Sequence, residues 1–190
     1  YPNPEELFSD LVDPEYETEL KTLAYPHNAL NKTQKEFRIT KDGKKIMRKG
    51  EMLTDHEYSR HSKIIKEKFA YMISHDGKIP KSMKTKKFAQ RVLPKQWEAD
   101  GPNITATSLP DDFVHYSQPR SMTVREWARL QTFPDSYKFA GKRTTGGRRR
   151  AGDPSKGDWS RETPKYTQIG NAVPIKLAEK IGQHLQRLIK

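Results

Sequence analysis

Cysteine does not occur in the 190 residues of this sequence. Disulfide bonds, thiolate metal sites and cysteine nucleophiles are therefore excluded. No apolar run approaches the roughly 18 residues that a membrane-spanning helix needs. The first residues are acidic and lack the basic segment that begins a secretory signal peptide. We therefore expect a cytoplasmic protein that has neither a membrane partner nor a bound metal ion.

Apolar residues are also scarce. They make up 33% of the sequence, while charged residues make up 32%. A core that folds independently is normally richer in apolar residues than this. Either much of the chain is surface and loop, or its apolar faces pack against something that lies outside this sequence.

Positive charge is abundant and unevenly distributed. The net charge is +12, and residues 1–20 hold seven acidic residues with no lysine or arginine. Seven basic residues and no acidic one lie in 78–95, and five more basic residues lie in 141–150. A protein this basic usually binds a polyanion, most often nucleic acid. The alternative is a solvated lysine-rich surface.

The first half of the chain predicts little regular structure. Four prolines in residues 1–35 indicate an extended arm with one helical turn. The Asp42-Gly43 pair predicts a hairpin between 37–40 and 45–48. A capping box at Thr54–Glu57 then predicts a helix that ends at Asp76-Gly77.

The second half predicts two helices separated by a long loop. Residues 103–107 alternate as a strand does. A second capping box, Thr123–Glu126, begins a short helix that Pro134 stops. Residues 140–165 indicate a long loop, and the final helix begins near Pro174 with one apolar face. That face consists of Leu177, Ala178, Ile181, Leu185 and Leu188.

Two stretches closely resemble conserved motifs of the cytosine-C5 DNA methyltransferases. The segment Arg120-Ser-Met-Thr-Val-Arg-Glu-Trp-Ala-Arg-Leu-Gln-Thr-Phe-Pro-Asp-Ser-Tyr137 resembles the ninth motif, with Met122 where leucine is usual. Gln168-Ile-Gly-Asn-Ala-Val-Pro174 resembles the tenth, with Ile175 where a second proline is common. Before them, Asn103–Thr107 resembles the family's Pro-Thr-Ile-Thr segment, with Asn103 in place of the first threonine.

The family's earlier motifs are missing from the sequence. They are a Gly-rich cofactor loop, a Pro-Cys nucleophile, a Glu-Asn-Val acid and a Gln-Arg-Arg element. The resemblance therefore implies the region after the eighth motif: an α+β chain whose small mixed recognition domain has irregular loops. Its C-terminal helices would complete a Rossmann-like methyltransferase domain that this chain lacks. We expect an acidic arm and hairpin in 1–50, the recognition region in 51–120, and the ninth and tenth motifs in 121–190.

The resemblance also implies a cofactor site for S-adenosylmethionine. Asn171 would bind the amino-acid end of the cofactor, because an amide offers both a donor and an acceptor. Gly170 would allow close approach, Ala172 and Val173 would line the same wall, and Tyr137 would border the pocket. The alternative is that Asn171 only caps the last helix.

Binding of duplex DNA is the second implied role. Lysine and arginine neutralise phosphates, and arginine also reads guanine edges, while threonine hydroxyls hold phosphates. The implied DNA-binding residues are Lys84, Lys86, Lys87, Arg91, Thr105 and Thr107. The alternatives are a solvated basic loop and two ordinary strand threonines.

Arg125, Glu126 and Arg129 of the ninth motif are better interpreted as structural ion pairs than as catalytic groups. The leading functional hypothesis is the portion of a methyltransferase that is inactive alone and needs a catalytic domain or subunit. It would act on DNA in a bacterial cytoplasm, in a restriction-modification system or as an orphan methylase. The small subunit of a split enzyme, a stand-alone DNA-binding module and a degenerate scaffold are the other candidates.

Overall fold

The computed structural model describes residues 2–84, 91–97, 104, 113–144, 154–157 and 162–189. Within these ranges the chain combines short helices with a two-stranded sheet, which is a small mixed helix and strand fold. The α-helices are α1 (Pro4–Phe8), α2 (Lys32–Phe37), α3 (Lys63–Ser74), α4 (Val124–Leu130), α5 (Lys165–Asn171) and α6 (Ile175–Leu188). The strands are β1 (Arg91–Val92) and β2 (Phe113–Val114), and 3-10 turns cover Ser9–Leu11, Lys81–Met83 and Pro154–Lys156.

The N-terminal segment contains the predicted helical turn, but it does not extend away from the protein. Asn3 accepts a hydrogen bond from the amide of Glu6, whose carboxylate accepts one from the Asn3 amide. This capping box satisfies free N–H groups at the start of α1. Phe8 and Leu11 are fully buried. The segment therefore contributes to the core, and its acidic composition does not mark a solvated arm.

The predicted hairpin around Asp42-Gly43 is confirmed in a short form. Ile39 and Ile46 form an antiparallel bridge. Gly43 has a φ of +73°, in the left-handed region that glycine adopts at no steric cost. The pairing does not extend to the predicted start at Phe37, because Phe37 is the last residue of α2.

The predicted start of the long helix at Thr54 is wrong. Helix α3 begins at Lys63 after an N-cap at Ser62, although it ends where expected, with Gly77 at a φ of +77°. Asp55 has a φ of +63°, which is incompatible with a helix. Thr54 and Asp55 instead receive hydrogen bonds from the Arg125 side chain. A tertiary contact has overridden a local capping signal.

The second predicted capping box, at Thr123–Glu126, is confirmed. The Thr123 hydroxyl accepts from the Glu126 amide, and the Glu126 carboxylate accepts from the Thr123 amide. Helix α4 follows directly and buries Trp127 and Ala128 completely. It forms the centre of the main core, which also contains Leu7, Phe8, Phe37, Leu93, Phe113, Tyr116, Met122, Val124, Phe133, Phe139, Tyr166 and Ile169.

Helices α2 and α5 were not predicted from the sequence. Asn31 caps α2 by accepting from the Gln34 amide, a signal that was available. Helix α5 has no capping side chain and ends after two turns. Helix α6 begins after Pro174, as predicted. Helix α6 has no buried residue, and its Leu177, Ile181, Leu185 and Leu188 are 52%, 50%, 50% and 68% exposed.

The described strands pair in parallel, with Arg91 opposite Phe113 and Val92 opposite Val114. Of the strand predicted at 103–107, only Ile104 lies within the described residues, and it belongs to no strand there. In the described part of the chain, no helix is long and apolar enough to cross a membrane.

Candidate functional site

A buried ion-pair cluster surrounds the C-terminal end of α4 and the loop that follows it. Arg129 contacts Asp10 and Asp135, each at 2.6 Å, and Arg38 contacts Asp10 at 2.6 Å. The Tyr25 hydroxyl donates to Asp135 at 2.8 Å. Burial would raise the pKa of Asp135, but the positive charge of Arg129 outweighs it and holds that pKa below its usual value. The cluster ties the N-terminal segment and α2 to the ninth-motif helix.

A second buried cluster lies at the other end of α4. Arg120 donates to both carboxylate oxygens of Glu126, at 2.9 and 2.6 Å. His115 Nε2 lies 3.5 Å from the same carboxylate. Burial alone would raise the pKa of Glu126, but the charge of Arg120 holds it far below the usual range. Glu126 is therefore a permanent anion in the folded protein.

Two fully buried histidines next to this cluster are neutral. His115 Nδ1 accepts from the amides of Ser117 and Gln118, so its proton is on Nε2 and faces Glu126. His56 Nε2 lies 3.1 Å from the Leu11 carbonyl, so this nitrogen carries the proton. Burial lowers the pKa of His56 to about 4 and that of His115 to about 3. Neither imidazole is exposed to a substrate.

The prediction that Arg125, Glu126 and Arg129 form structural ion pairs is confirmed. The partners of Arg125 and Arg129 are buried carboxylates and carbonyls, such as the Tyr137 carbonyl, which accepts from Arg125 at 2.8 Å. The partner of Glu126 is the buried guanidinium of Arg120. The pairing differs from the expected one, because each arginine pairs with aspartates rather than with Glu126. All three side chains are buried and paired within the fold.

Arg129→Ala is expected to destabilise the chain by about 3–5 kcal/mol, because it leaves the carboxylates of Asp10 and Asp135 buried with fewer partners. Urea unfolding at neutral pH measures the change. Arg187→Ala, which removes an exposed arginine on α6, is the matched control and should change the stability by less than about 0.5 kcal/mol. An equal effect of both substitutions would contradict the structural role of the cluster.

Four of the five predicted cofactor residues lie at the junction of α5 and α6, and the fifth, Tyr137, lies in the segment that follows α4. Gly170 and Asn171 are the last residues of α5, and Ala172 and Val173 connect it to α6. Asn171 is exposed, and its side-chain amide forms no hydrogen bond with the residues that the structure describes. The N-cap residue of α6 is Pro174, and the helix has no N-cap side chain that accepts a hydrogen bond from its first turn. The alternative that Asn171 caps the last helix is therefore wrong.

The free amide fits the group that the resemblance implies. Its donor and acceptor are both available, as the charged amino-acid end of S-adenosylmethionine requires. Val173 is 60% exposed on the same segment. Tyr137 is 46% exposed, and the centre of its ring lies 5.0 Å from the centre of the Phe133 ring and 4.8 Å from that of Phe139. That packing fixes the ring while leaving its edge accessible.

Only part of the predicted DNA surface can be located. Lys84 is exposed after the 3-10 turn Lys81–Met83. Arg91 is exposed on β1, and its guanidinium lies 4.5 Å from the centre of the Phe113 ring. This cation–π contact orients the arginine without burying its donors. The other predicted DNA contacts, Lys86, Lys87, Thr105 and Thr107, lie outside the described residues.

Comparison with known proteins identifies the family. The family described as C-5 cytosine-specific DNA methylase matches residues 5–187. The match spans nearly the whole sequence, and the chain therefore belongs to this family of transferases.

Individual relatives agree with the family match. The chain is 40% identical over 80 residues to the Type II methyltransferase M.DdeI of Desulfomicrobium norvegicum, covering 42% of this chain and 17% of that protein. It is 28% identical over 139 residues to the Type II methyltransferase M1.HphI of Haemophilus parahaemolyticus, covering 72% and 32%. It is 37% identical over 97 residues to DNA (cytosine-5)-methyltransferase 1A of Oryza sativa, covering 49% and 5%. The chain thus spans less than a third of the length of each.

Proposed function

We propose that this chain is the C-terminal, target-recognition and cofactor-pocket-completing portion of a DNA (cytosine-5)-methyltransferase. The complete enzyme would transfer a methyl group from S-adenosylmethionine to C5 of cytosine in duplex DNA. One observation carries the proposal: a family match over residues 5–187 in a chain without a single cysteine. By the family resemblance, attack on the cytosine ring needs a cysteine thiolate. That group must come from a catalytic part, on the same polypeptide or on a separate subunit.

The exposed face of α6 supports a missing catalytic partner. Its four large aliphatic side chains are each at least 50% exposed and follow helical spacing. A stripe of this kind is unfavourable in water, and contiguous exposed apolar surface usually marks an interaction site. We assign the stripe to the surface that packs on the catalytic part.

The junction of α5 and α6 would then complete the cofactor pocket. S-adenosylmethionine supplies the methyl group when bound. The role of the chain is to hold the amino-acid end of the cofactor with the Asn171 amide. Gly170 has no side chain that would obstruct this approach.

Asn171→Ala in the complete methyltransferase is expected to weaken cofactor binding by roughly ten- to a hundred-fold, because a hydrogen bond to a charged group is lost. Calorimetry with S-adenosylhomocysteine measures the affinity directly. The DNA affinity should not change, since the recognition loops lie elsewhere. Normal cofactor binding together with an earlier melting transition would show that Asn171 has only a structural role.

The basic segment 78–95 would neutralise DNA phosphates. Binding of the chain to duplex DNA is expected to weaken steeply with salt, with a slope of about −0.9 in log K against log salt for each phosphate neutralised. Replacing Lys84, Lys86 and Lys87 together by glutamine should flatten that slope by about 2 to 3. Fluorescence anisotropy over a salt series measures it.

The matched control replaces three exposed lysines near the hairpin, Lys41, Lys44 and Lys49, by glutamine. It removes the same charge from a different surface. An equal loss of slope in both triple variants would indicate attraction by net charge alone and would contradict a specific DNA surface at 78–95.

A further inference from the structure

Helix α4 ends in a Schellman motif in which a threonine occupies the left-handed position that is usually glycine. The Thr132 amide donates to the Arg129 carbonyl at 3.0 Å, and the Phe133 amide donates to the Ala128 carbonyl at 2.9 Å. These bonds satisfy carbonyls at the end of the helix, and the motif requires a left-handed residue that is usually glycine. Here that residue is Thr132, with a φ of +59°. A β-branched residue in this region is strained.

The hydroxyl of Thr132 explains why the strain persists. It accepts a hydrogen bond from the Lys176 amide at 2.9 Å, in the first turn of α6. The N-cap of α6 is Pro174, whose side chain cannot accept such a bond. Thr132 therefore supplies, from 44 residues away in sequence, the cap that the N-terminus of α6 lacks. Glycine would relieve the strain but would leave this amide without its partner.

Gln131, the preceding residue, holds the other side of the same junction. Its side-chain amide donates to the carbonyls of Ile169 and Ala172, at 3.3 Å each. Its own carbonyl accepts from the Ile175 amide at 3.3 Å. Gln131 is buried, so these bonds are shielded from water. Together, Gln131 and Thr132 form hydrogen bonds with the backbone on both sides of Asn171, while the Asn171 side chain stays exposed.

We propose that Gln131 and Thr132 are positioning residues that hold the Gly170–Val173 segment in place for the cofactor. Residues in strained backbone conformations persist where the surrounding structure fixes them, and they cluster at functional sites. The end of the ninth-motif helix thereby sets the position of the tenth motif. This inference rests on the proposed cofactor role of Asn171 and adds the residues through which that role depends on α4.

The test compares three substitutions at Thr132 in the complete methyltransferase. Thr132→Val keeps the shape and removes the hydroxyl. Thr132→Gly removes the hydroxyl and relieves the strain, while Thr132→Ser keeps the hydroxyl. We expect Val and Gly to weaken S-adenosylhomocysteine binding by about three- to ten-fold, as for a lost neutral hydrogen bond, and Ser to bind as the unsubstituted protein does. Faster hydrogen exchange at the Lys176 amide should accompany the weaker binding.

The Gly variant separates positioning from stability. Its melting temperature should stay close to that of the unsubstituted protein, because strain relief offsets the lost cap, yet its cofactor affinity should fall. A purely structural role predicts the reverse: affinity unchanged in every variant that folds, which would overturn the proposal. If Thr132→Gly binds normally while Asn171→Ala does not, only the positioning role is wrong. If neither substitution affects binding, the cofactor role of the junction is wrong as well, and the proposal with it.

Discussion

The stability of the folded chain is expected to fall by about 2–2.5 kcal/mol for each pH unit between about pH 6 and 4.5, because two fully buried histidines take up protons only when the chain unfolds. In the folded state the pKa of His56 is about 4 and that of His115 about 3, against an ordinary value of 6.5. Both pKa values are lowered by burial. In this window these two histidines therefore bind nearly two more protons in the unfolded chain than in the folded chain, which favours unfolding as the pH falls.

The carboxylates add to this loss below about pH 4.5, the ordinary range of their pKa values. The pKa values of Glu126 and Asp135 are held below that range in the folded protein by Arg120 and Arg129, whose charges outweigh burial. Their stabilisation is present above the unfolded pKa and is lost as the pH falls toward the folded one. As the pH falls, proton uptake by the histidines should therefore destabilise the fold first, and protonation of the carboxylates should destabilise it further at lower pH.

His56→Gln should lower the slope by about 1 kcal/mol per pH unit, because one of the two fully buried titrating groups is removed. His115 and His61, whose pKa values are also lowered by burial, still contribute to the slope. Urea unfolding at a series of pH values gives the free energy of unfolding at each. His184→Gln, which removes an exposed histidine on α6, is the control and should leave the slope unchanged. A stability that stays constant from pH 6 to 4.5 would show that these imidazoles are not buried as the fold requires.

Local signals in the sequence predicted the elements whose stability is local. The capping box at Thr123–Glu126, the Asp42-Gly43 turn and the apolar stripe of α6 each depend on residues within a few positions of one another. The capping box at Thr54 failed, since Arg125 draws the Thr54–Asp55 backbone into a tertiary contact. Such a contact joins positions about 70 residues apart, and spacing along the sequence does not reveal it.

The candidate site also combines residues that the sequence indicated with residues that only the tertiary structure reveals. The motif resemblance indicated Asn171 and Tyr137, and it also implied the structural role of the ninth-motif arginines. The hydrogen bonds of Gln131 and Thr132 to the junction could not be predicted, because they depend on a backbone angle at Thr132 and on the packing of α4 against α5. A threonine at the left-handed end of a helix has no distinguishing sequence signal, since glycine is the residue expected there.

The isolated chain is expected to incorporate no methyl groups into DNA, and activity should return only when the catalytic part is supplied. By the family resemblance the reaction needs a cysteine thiolate, and no cysteine occurs in the 190 residues. Incubation with duplex DNA and labelled S-adenosylmethionine tests it. Incorporation above background by the chain alone would refute the proposal that catalysis needs a separate catalytic part.

Reconstitution should depend on the exposed stripe of α6. Ile181→Lys places a charge on that stripe, where the side chain is 50% exposed in the chain alone, so the fold should survive. Packing against the catalytic part would bury this charge without a partner, and association should weaken by at least ten-fold. Gln183→Lys adds the same charge off the stripe and should reconstitute normally. If the two variants restore activity equally, α6 does not form the interface with the catalytic part, and the assignment of the stripe is wrong.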